Sequence, residues 1–296
     1  MTRIFAIAAV CAAIASCHTA SNEMNERPVE IRTLDWIGEG TDPVRHLTMQ
    51  PASCVASRED SDVRRGELLF NSPLLLGGQA GKAGLSCAAC HRNGRGNPDF
   101  VFNGISGMPG TADVTNGLFS SLRADKTVNP VPIPDLATQE GRVQVDRARE
   151  NELEDFLTAQ IVEEFSGPLP SDQMVADLAA FIRALDAEAC ADLSEQTQSW
   201  RDEAARIDAG LEAIEIAPRQ AAYVSAIRAA LGRLNNRYKG PEFGALRAEL
   251  VKFSRDLASA HSLSDLDANW QRISGSLADG EAQSLYNQDM LERELR

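Results

Sequence analysis

The chain has 296 residues and carries a formal net charge of −14. So acidic a chain is a poor candidate for nucleic-acid binding, because phosphate groups would repel it, and no nucleic-acid partner is expected. Aromatic residues supply 5% of the chain while Ala and Leu are abundant, a balance that favours helix. We therefore expect an all-α fold.

The N-terminus has the pattern of an export signal. Arg3 precedes an apolar run that ends at Ala15 and is too short to remain in a bilayer, so residues 1–16 are predicted to be a signal peptide and the protein to be periplasmic. The segment IASC is typical of a lipoprotein processing box, which predicts lipidation of Cys17 and contact with a membrane through that lipid alone. Ordinary cleavage after Ala15 is the alternative. Residues 17–45 are predicted to be a tether.

The cysteines outside the signal segment form two pairs. Cys87 and Cys90 belong to one motif, which leaves Cys54 and Cys190. Because an exported protein meets an oxidising compartment, Cys54 and Cys190 are predicted to form a disulfide. Two buried free thiols are the alternative.

The segment CAACH, from Cys87 to His91, carries the strongest chemical signal. A zinc ribbon would need a second Cys-x-x-Cys or a Cys/His pair at ligand spacing, which the sequence lacks, and a thioredoxin-like redox pair should stand beside strands, which are not predicted nearby. On one helical turn Cys87 and Cys90 share a face, with His91 beside them. The pattern predicts covalent attachment of one haem c by the two cysteines, with His91 ligating the iron.

Helical segments and one long loop surround this motif. A helix is predicted from Ser61, another over residues 150–165, and a third from Ser171, which is placed to cap it. Residues 93–134 are rich in Gly, Pro, Asn and Thr. A loop of this length is uncommon unless it serves function, and wrapping a haem is such a function.

These segments together resemble a haem domain of the bacterial di-haem cytochrome c peroxidase family. The similarity runs from about Arg64 to Leu185 and lies in RRGELLFNSPLLLGGQAGKAGLSCAACHRNGRGN, GMPGTADVT and LAAFIRAL. The resemblance implies a cytochrome c-like domain over residues 46–192, with a sixth iron ligand from a loop shortly after the motif, a position that Met108 matches. Members of the family have two haem domains in tandem, whereas this sequence contains a single Cys-x-x-Cys-His.

The sixth position on the iron decides the chemistry, because a protein ligand there closes the iron and an open position admits small molecules. Besides Met108, the candidates are His46 and Met49, and an open position is a further alternative. Met174 begins an apolar stripe and is expected in the core. Basic residues near the motif would pair with haem propionates or meet an acidic redox partner.

The expected function is one-electron transfer by a single-haem cytochrome that exchanges electrons with redox partner proteins. Peroxide reduction needs two electrons and an acid/base group over an open iron. A single haem supplies only part of this, which is why electron transfer is expected; peroxidase-like chemistry and a haem-based sensor or partner-binding protein are the alternatives.

Residues 193–296 show strong helical periodicity, with apolar residues repeating at spacings of three and four in four successive stripes. The pattern predicts an antiparallel helical bundle. Such a bundle would either dock a partner protein or cap the haem domain.

Overall fold

The computed structural model describes residues 38, 40–48, 53–56, 60–138, 151–190, 197–216, 221–259 and 263–296. Over these ranges the chain is mostly helical, which confirms the all-α class. The predicted signal peptide, the lipidation at Cys17, most of the tether and Met49 lie outside the described residues. The described residues belong to one compact unit.

The helices fall into two groups along the chain. The first group is α1 (Pro43–Thr48), α2 (Ser61–Phe70), α3 (Gly78–Lys82), α4 (Cys87–Cys90), α5 (Glu152–Ala159) and α6 (Asp172–Ala184). The second group is α7 (Trp200–Ile216), α8 (Ala221–Arg237), α9 (Gly244–Ser259), α10 (Leu263–Gly280) and α11 (Gln288–Leu295). Across these described ranges, no helix is both long enough and apolar enough to pass through a bilayer.

Three smaller features complete the architecture. Strands β1 (Thr111–Ala112) and β2 (Val131–Pro132) pair antiparallel within the long loop. A π-helical turn, Gln160–Glu164, follows α5 directly. Helix α1 begins at Pro43, so the predicted tether, which was to end at residue 45, overlaps its first turn.

Helices α2 and α6 form the tightest helix pair. Helix α6 begins as predicted, since the hydroxyl of Ser171 accepts a hydrogen bond from the backbone nitrogen of Met174 at 3.4 Å. A Cβ atom at Gly66 of α2 would lie 2.0 Å from the backbone oxygen of Asp177 in α6. The two backbones approach this closely because residue 66 has no side chain.

One hydrophobic core joins the two groups of helices. Helix α2 packs against α6 and also against α7 and α8 of the second group. Leu68 of α2, Phe181 of α6, Ile207 of α7 and Ile227 of α8 are all completely buried members of this core. The helices after residue 192 therefore pack against those of the first group. The domain boundary predicted between residues 192 and 193 stays a prediction.

A buried ion pair joins α2 to α6 within the first group of helices. Arg65 of α2 donates two hydrogen bonds, at 2.9 and 3.0 Å, to the carboxylate of Asp177 in α6. The hydroxyl of Tyr223 in α8 donates to the same carboxylate. Asp177 thus accepts hydrogen bonds from one residue of each helix group, Arg65 and Tyr223.

A second polar cluster lies along α2, α7 and α8. Glu67 accepts a hydrogen bond from Arg206 at 2.9 Å, and Arg206 lies 3.1 Å from Glu203. Arg233 donates two bonds, at 2.7 and 2.8 Å, to the carboxylate of Glu203. Although burial opposes its charge, Arg206 has a raised pKa because Glu67 and Glu203 stabilise the guanidinium.

Candidate functional site

The Cys-x-x-Cys-His motif stands on one turn of helix, as its spacing predicts. Cys87 and Cys90 are the first and last residues of α4, and the backbone nitrogen of His91 donates to the carbonyl of Cys87 at 2.8 Å. The side-chain amide of Asn97 donates to the carbonyl of Ala89 at 2.8 Å, which satisfies a group that the end of a helix leaves unpaired. All three motif side chains line the same cavity.

The imidazole of His91 is oriented by a backbone carbonyl. Nδ1 of His91 lies 3.1 Å from the carbonyl oxygen of Pro134, and since a carbonyl accepts, Nδ1 carries the proton and Nε2 is the nitrogen for a metal. Burial lowers the pKa of His91, opposed by its backbone hydrogen bonds. The ring is therefore neutral at pH 7, the state in which histidine binds iron.

The strand pair brings Pro134 to the motif. Thr111 of β1 is opposite Pro132 of β2, and the backbone nitrogen of Ile133 donates to the carbonyl of Gly110 at 2.9 Å. The loop that begins after the motif thus folds back on itself. Pro134 follows β2 by two residues, so this pairing sets the contact with His91.

The two thiols are half-buried groups with raised pKa values. Cys87 and Cys90 are free, and burial raises the pKa of each thiol to about 12. A redox or metal-binding cysteine needs a lowered pKa instead. Moreover, nowhere in the described ranges are three or more His, Cys, Asp or Glu side chains arranged to hold a metal ion. The redox-pair and zinc alternatives stay disfavoured by the sequence, which has no second ligand pair and no strands near the motif.

The cavity beside the motif has mostly apolar walls. Its empty space, including the mouth open to solvent, is about 1260 Å³. Besides the motif it is lined from α2, α5, α6 and the loop, by residues that include Phe70, Leu85, Phe119, Val131, Leu153, Phe156, Leu157, Phe165 and Ile182. An apolar cleft with one neutral imidazole and two thiols on its wall fits a haem, whose macrocycle is largely apolar.

Of the predicted sixth ligands, Met108 and His46 do not reach this cavity, and Met49 lies outside the described residues. The side chain of Met108 is 65% exposed and does not line it. The turn around Met108 is held by Thr111, whose hydroxyl donates to the carbonyl of Met108 at 2.7 Å and accepts from its backbone nitrogen at 3.1 Å. His46 is buried in α1, with Nδ1 3.4 Å from Nη1 of Arg92, and does not line the cavity either. Iron ligation by Met108 stays a prediction that would require this turn to move inward.

Two buried acids beside the cavity were not anticipated. Asp113 directly follows β1 and Glu164 ends the π-helical turn, and a neighbour of each in the chain lines the cavity. Within the described part of the molecule, Oδ2 of Asp113 and Oε1 of Glu164 have no hydrogen-bond partner. Burial raises the pKa of Glu164, opposed by Arg123 at 3.5 Å and reinforced by Asp113. Asp113 sits in a loop without periodicity, and Glu164 belongs to the helix predicted over residues 150–165 but is not part of its apolar stripe.

The predicted disulfide is partly visible. Cys54 is disulfide-bonded, and the side chain of Cys190 lies outside the described part of the structure. Val55 forms a bridge with Leu185, and the backbone nitrogen of Asp186 donates to the carbonyl of Cys54 at 2.7 Å. The chain leading to Cys190 therefore runs beside Cys54, while the pairing itself stays a prediction.

Comparisons with protein-family models, with curated proteins and with solved structures found no match. The resemblance of this chain to the di-haem cytochrome c peroxidase family therefore stays a prediction from the sequence. Cys87, Cys90 and His91, placed together on the cavity wall, are the residues that favour a haem site.

Proposed function

We propose that this chain is a single-haem c-type cytochrome that transfers one electron at a time between redox partner proteins. Cys87 and Cys90 hold the haem and His91 ligates its iron. The observation that carries the proposal is the fixed imidazole of His91, whose Nδ1 meets the carbonyl of Pro134 while Nε2 is left for iron. The thiols that would bind the haem line the same apolar cavity.

Attachment needs no further reactant from the protein. The thiols of Cys87 and Cys90 would hold the haem through two thioether bonds, each formed by addition of S–H across a vinyl group, so that no atom is lost. The bound haem supplies one-electron redox chemistry. The protein's part is to fix the imidazole, surround the macrocycle with apolar side chains and leave one edge at the cavity mouth for exchange with a partner.

The remaining sequence predictions belong to the same proposal. Residues 46–192 would be a cytochrome c-like domain whose loop wraps the haem, and residues 193–296 an antiparallel bundle that caps it or docks a partner protein. Export to the periplasm and anchoring through Cys17 suit this role, because covalent haem attachment takes place outside the cytoplasm.

Haem content tests the proposal directly. A pyridine haemochrome assay on protein matured in a bacterial periplasm should find one covalent haem per chain, and Cys87→Ala should abolish the ordinary two-thioether spectrum. Ala88→Ser is the matched control, because it alters the same helical turn without removing a thiol, and it should keep the haem. Wild-type protein that matures without haem would refute the proposal.

A peroxidase-like haem with an open sixth position is the second candidate function. It is favoured by one observation: Asp113 and Glu164 are buried beside the cavity, while neither Met108 nor His46 lines it. A carboxyl group with a raised pKa is suited to give a proton to a ligand on the iron.

The ferric absorption spectrum distinguishes the two candidates. A carrier closed by Met108 should be low-spin, and Met108→Ala should make it high-spin. An open haem should be high-spin from the start, should shift on addition of cyanide, and should not respond to Met108→Ala. In that second case Glu164→Gln should slow the reaction with peroxide, whereas Glu163→Gln, at the more exposed neighbouring acid, should not.

A further inference from the structure

A second cavity lies where α4 meets α7 and α8; its empty space, including the mouth open to solvent, is about 990 Å³, and its walls are polar. Helix α4 contributes Ala88 and Ala89 to it, whereas Cys87 and Cys90 line the apolar cavity described above. The two cavities thus flank the same turn of helix. Nothing in the proposed haem chemistry uses the polar one.

Arginine dominates the lining of this polar cavity. Arg92, Arg206, Arg233 and Arg237 contribute to its walls, together with the carboxylate of Glu203. Guanidinium groups stay charged at any ordinary pH. In a chain with a net charge of −14, this concentration of cations is the opposite of the overall composition.

Arg206 and Arg233 have acidic partners, Glu67 and Glu203, but Arg237 does not have one among the described residues. Its side chain donates to neutral acceptors, the carbonyls of Leu47 at 2.9 Å and Leu285 at 3.3 Å and the amide oxygen of Gln198 at 3.3 Å. Its guanidinium also lies 5.5 Å from the ring centroid of Tyr286. Placing a half-buried cation without a counter-charge costs free energy, which an anion in the cavity would recover.

Neutral donors complete the wall. Asn236 is exposed at the end of α8 and lines the cavity, as does Asn93 in the turn after α4. Amide and guanidinium N–H groups around a small space are the donors that tetrahedral oxyanions take in proteins. The walls of this cavity are too polar for a second haem or another large apolar group.

We propose that this cavity is a binding site for a small, multiply charged oxyanion of the size of phosphate. The anion lies against Arg237 and Arg233 and in contact with the wall that α4 forms. Binding links α4 to α7 and α8 and therefore stabilises the folded chain in proportion to anion concentration. Since Cys87, Cys90 and His91 lie outside this cavity, binding does not depend on the haem.

Calorimetric titration of the full-length chain with inorganic phosphate tests this proposal. We expect saturable binding at low ionic strength, a rise in Tm with phosphate, and weaker binding as NaCl is added. Asn236→Asp places a carboxylate on the cavity wall with almost no change of shape, and it should weaken phosphate binding about tenfold or more through charge repulsion.

The matched control is Asn235→Asp, which makes the same change of charge one residue away. Asn235 does not line the cavity, and its side-chain oxygen accepts from Nε of Arg247 at 3.1 Å, so an aspartate can keep that bond. This variant should bind phosphate within about twofold of the wild type. Equal weakening by both variants would show a general effect of net charge and overturn the assignment. Absence of saturable binding and of any Tm shift with phosphate or sulfate would also overturn it.

Discussion

Asp177 of α6 binds side chains from both helix groups, Arg65 of α2 and Tyr223 of α8. It is completely buried, and its carboxylate accepts from Arg65, Tyr223 and Gln173. In Asp177→Asn the charge of Arg65 would be left buried without its partner, so we expect the free energy of unfolding to fall by about 3–5 kcal/mol in urea denaturation. Arg183→Gln, which breaks a partly exposed pair with Glu154, is the control and should cost about 1 kcal/mol or less. A similar loss in both variants would contradict this account.

Glu203 makes stability depend on pH. Burial alone would raise its pKa, but Arg233 and Arg206 lower it from 4.5 to about 2. Because the folded pKa is below the unfolded one, the contribution of Glu203 is complete above about pH 5 and is lost as the pH falls towards 2. Urea midpoints measured from pH 7 to pH 3 should decrease, and Glu203→Gln should be less stable at pH 7 with a shallower decrease. An unchanged slope in Glu203→Gln would show that another group is responsible.

At the scale of elements, the approach of α2 to α6 at Gly66 sets the packing. A Cβ there would also lie 2.7 Å from Cβ of Phe181, so Gly66→Ala should separate the helices and cost about 1–3 kcal/mol or more, although alanine favours helix. Gly275→Ala is the matched helical control, because a Cβ at Gly275 in α10 meets no atom within 4 Å. It should stabilise the protein by up to about 1 kcal/mol. Thermal or urea unfolding of both variants should show a lower stability for Gly66→Ala and a higher stability for Gly275→Ala than for the wild type.

The elements that the sequence predicts are those with a repeating local signal. Helices α2 and α6 follow from apolar spacing and from the cap at Ser171, and the stripes after residue 193 correspond to α7 to α10. Helices α1, α3 and α11 and the pairing of β1 with β2 were not predicted, and the helix predicted over residues 150–165 becomes a π-helical turn at Gln160. Helices α1 and α11 span too few turns for a periodic pattern, and the π-helical turn departs from the 3.6-residue period.

In the candidate site, too, the sequence predicts what depends on local spacing and does not predict contacts between distant parts of the chain. The spacing of Cys87, Cys90 and His91 is local, and a helical turn brings them together as predicted. The contact with Pro134 spans 43 residues and depends on the pairing of β1 with β2. The distance of Met108 from the motif along the chain does not determine which way its side chain points, and the hydrogen bonds to Thr111 hold its turn with the side chain exposed.

For the whole molecule, the shared core predicts a single cooperative unfolding transition. A Cβ at Gly210 of α7 would lie 2.6 Å from both Leu68 of α2 and Ile227 of α8, so the three helices meet with no spare space. Neither helix group can lose its packing without exposing completely buried side chains of the other, such as Phe181 and Tyr223. Two separate domains would instead unfold at different denaturant concentrations.

Two probes placed in the two segments test this cooperativity. In haem-free protein with Trp36→Phe, the fluorescence of Trp200 and Trp270 reports on the second segment, and labelling of the thiols of Cys87 and Cys90 reports on the first. Their urea midpoints should coincide, since one core unfolds once.

Leu68→Ala is expected to lower both midpoints together, because Leu68 is a completely buried core residue of α2 that faces α7. The loss in the free energy of unfolding should be about 2–5 kcal/mol. Leu122→Ala, at a side chain that is 71% exposed in the loop, is the control and should move neither midpoint. If Leu68→Ala lowers the thiol midpoint and leaves the tryptophan midpoint unchanged, residues 193–296 form an independent folding unit.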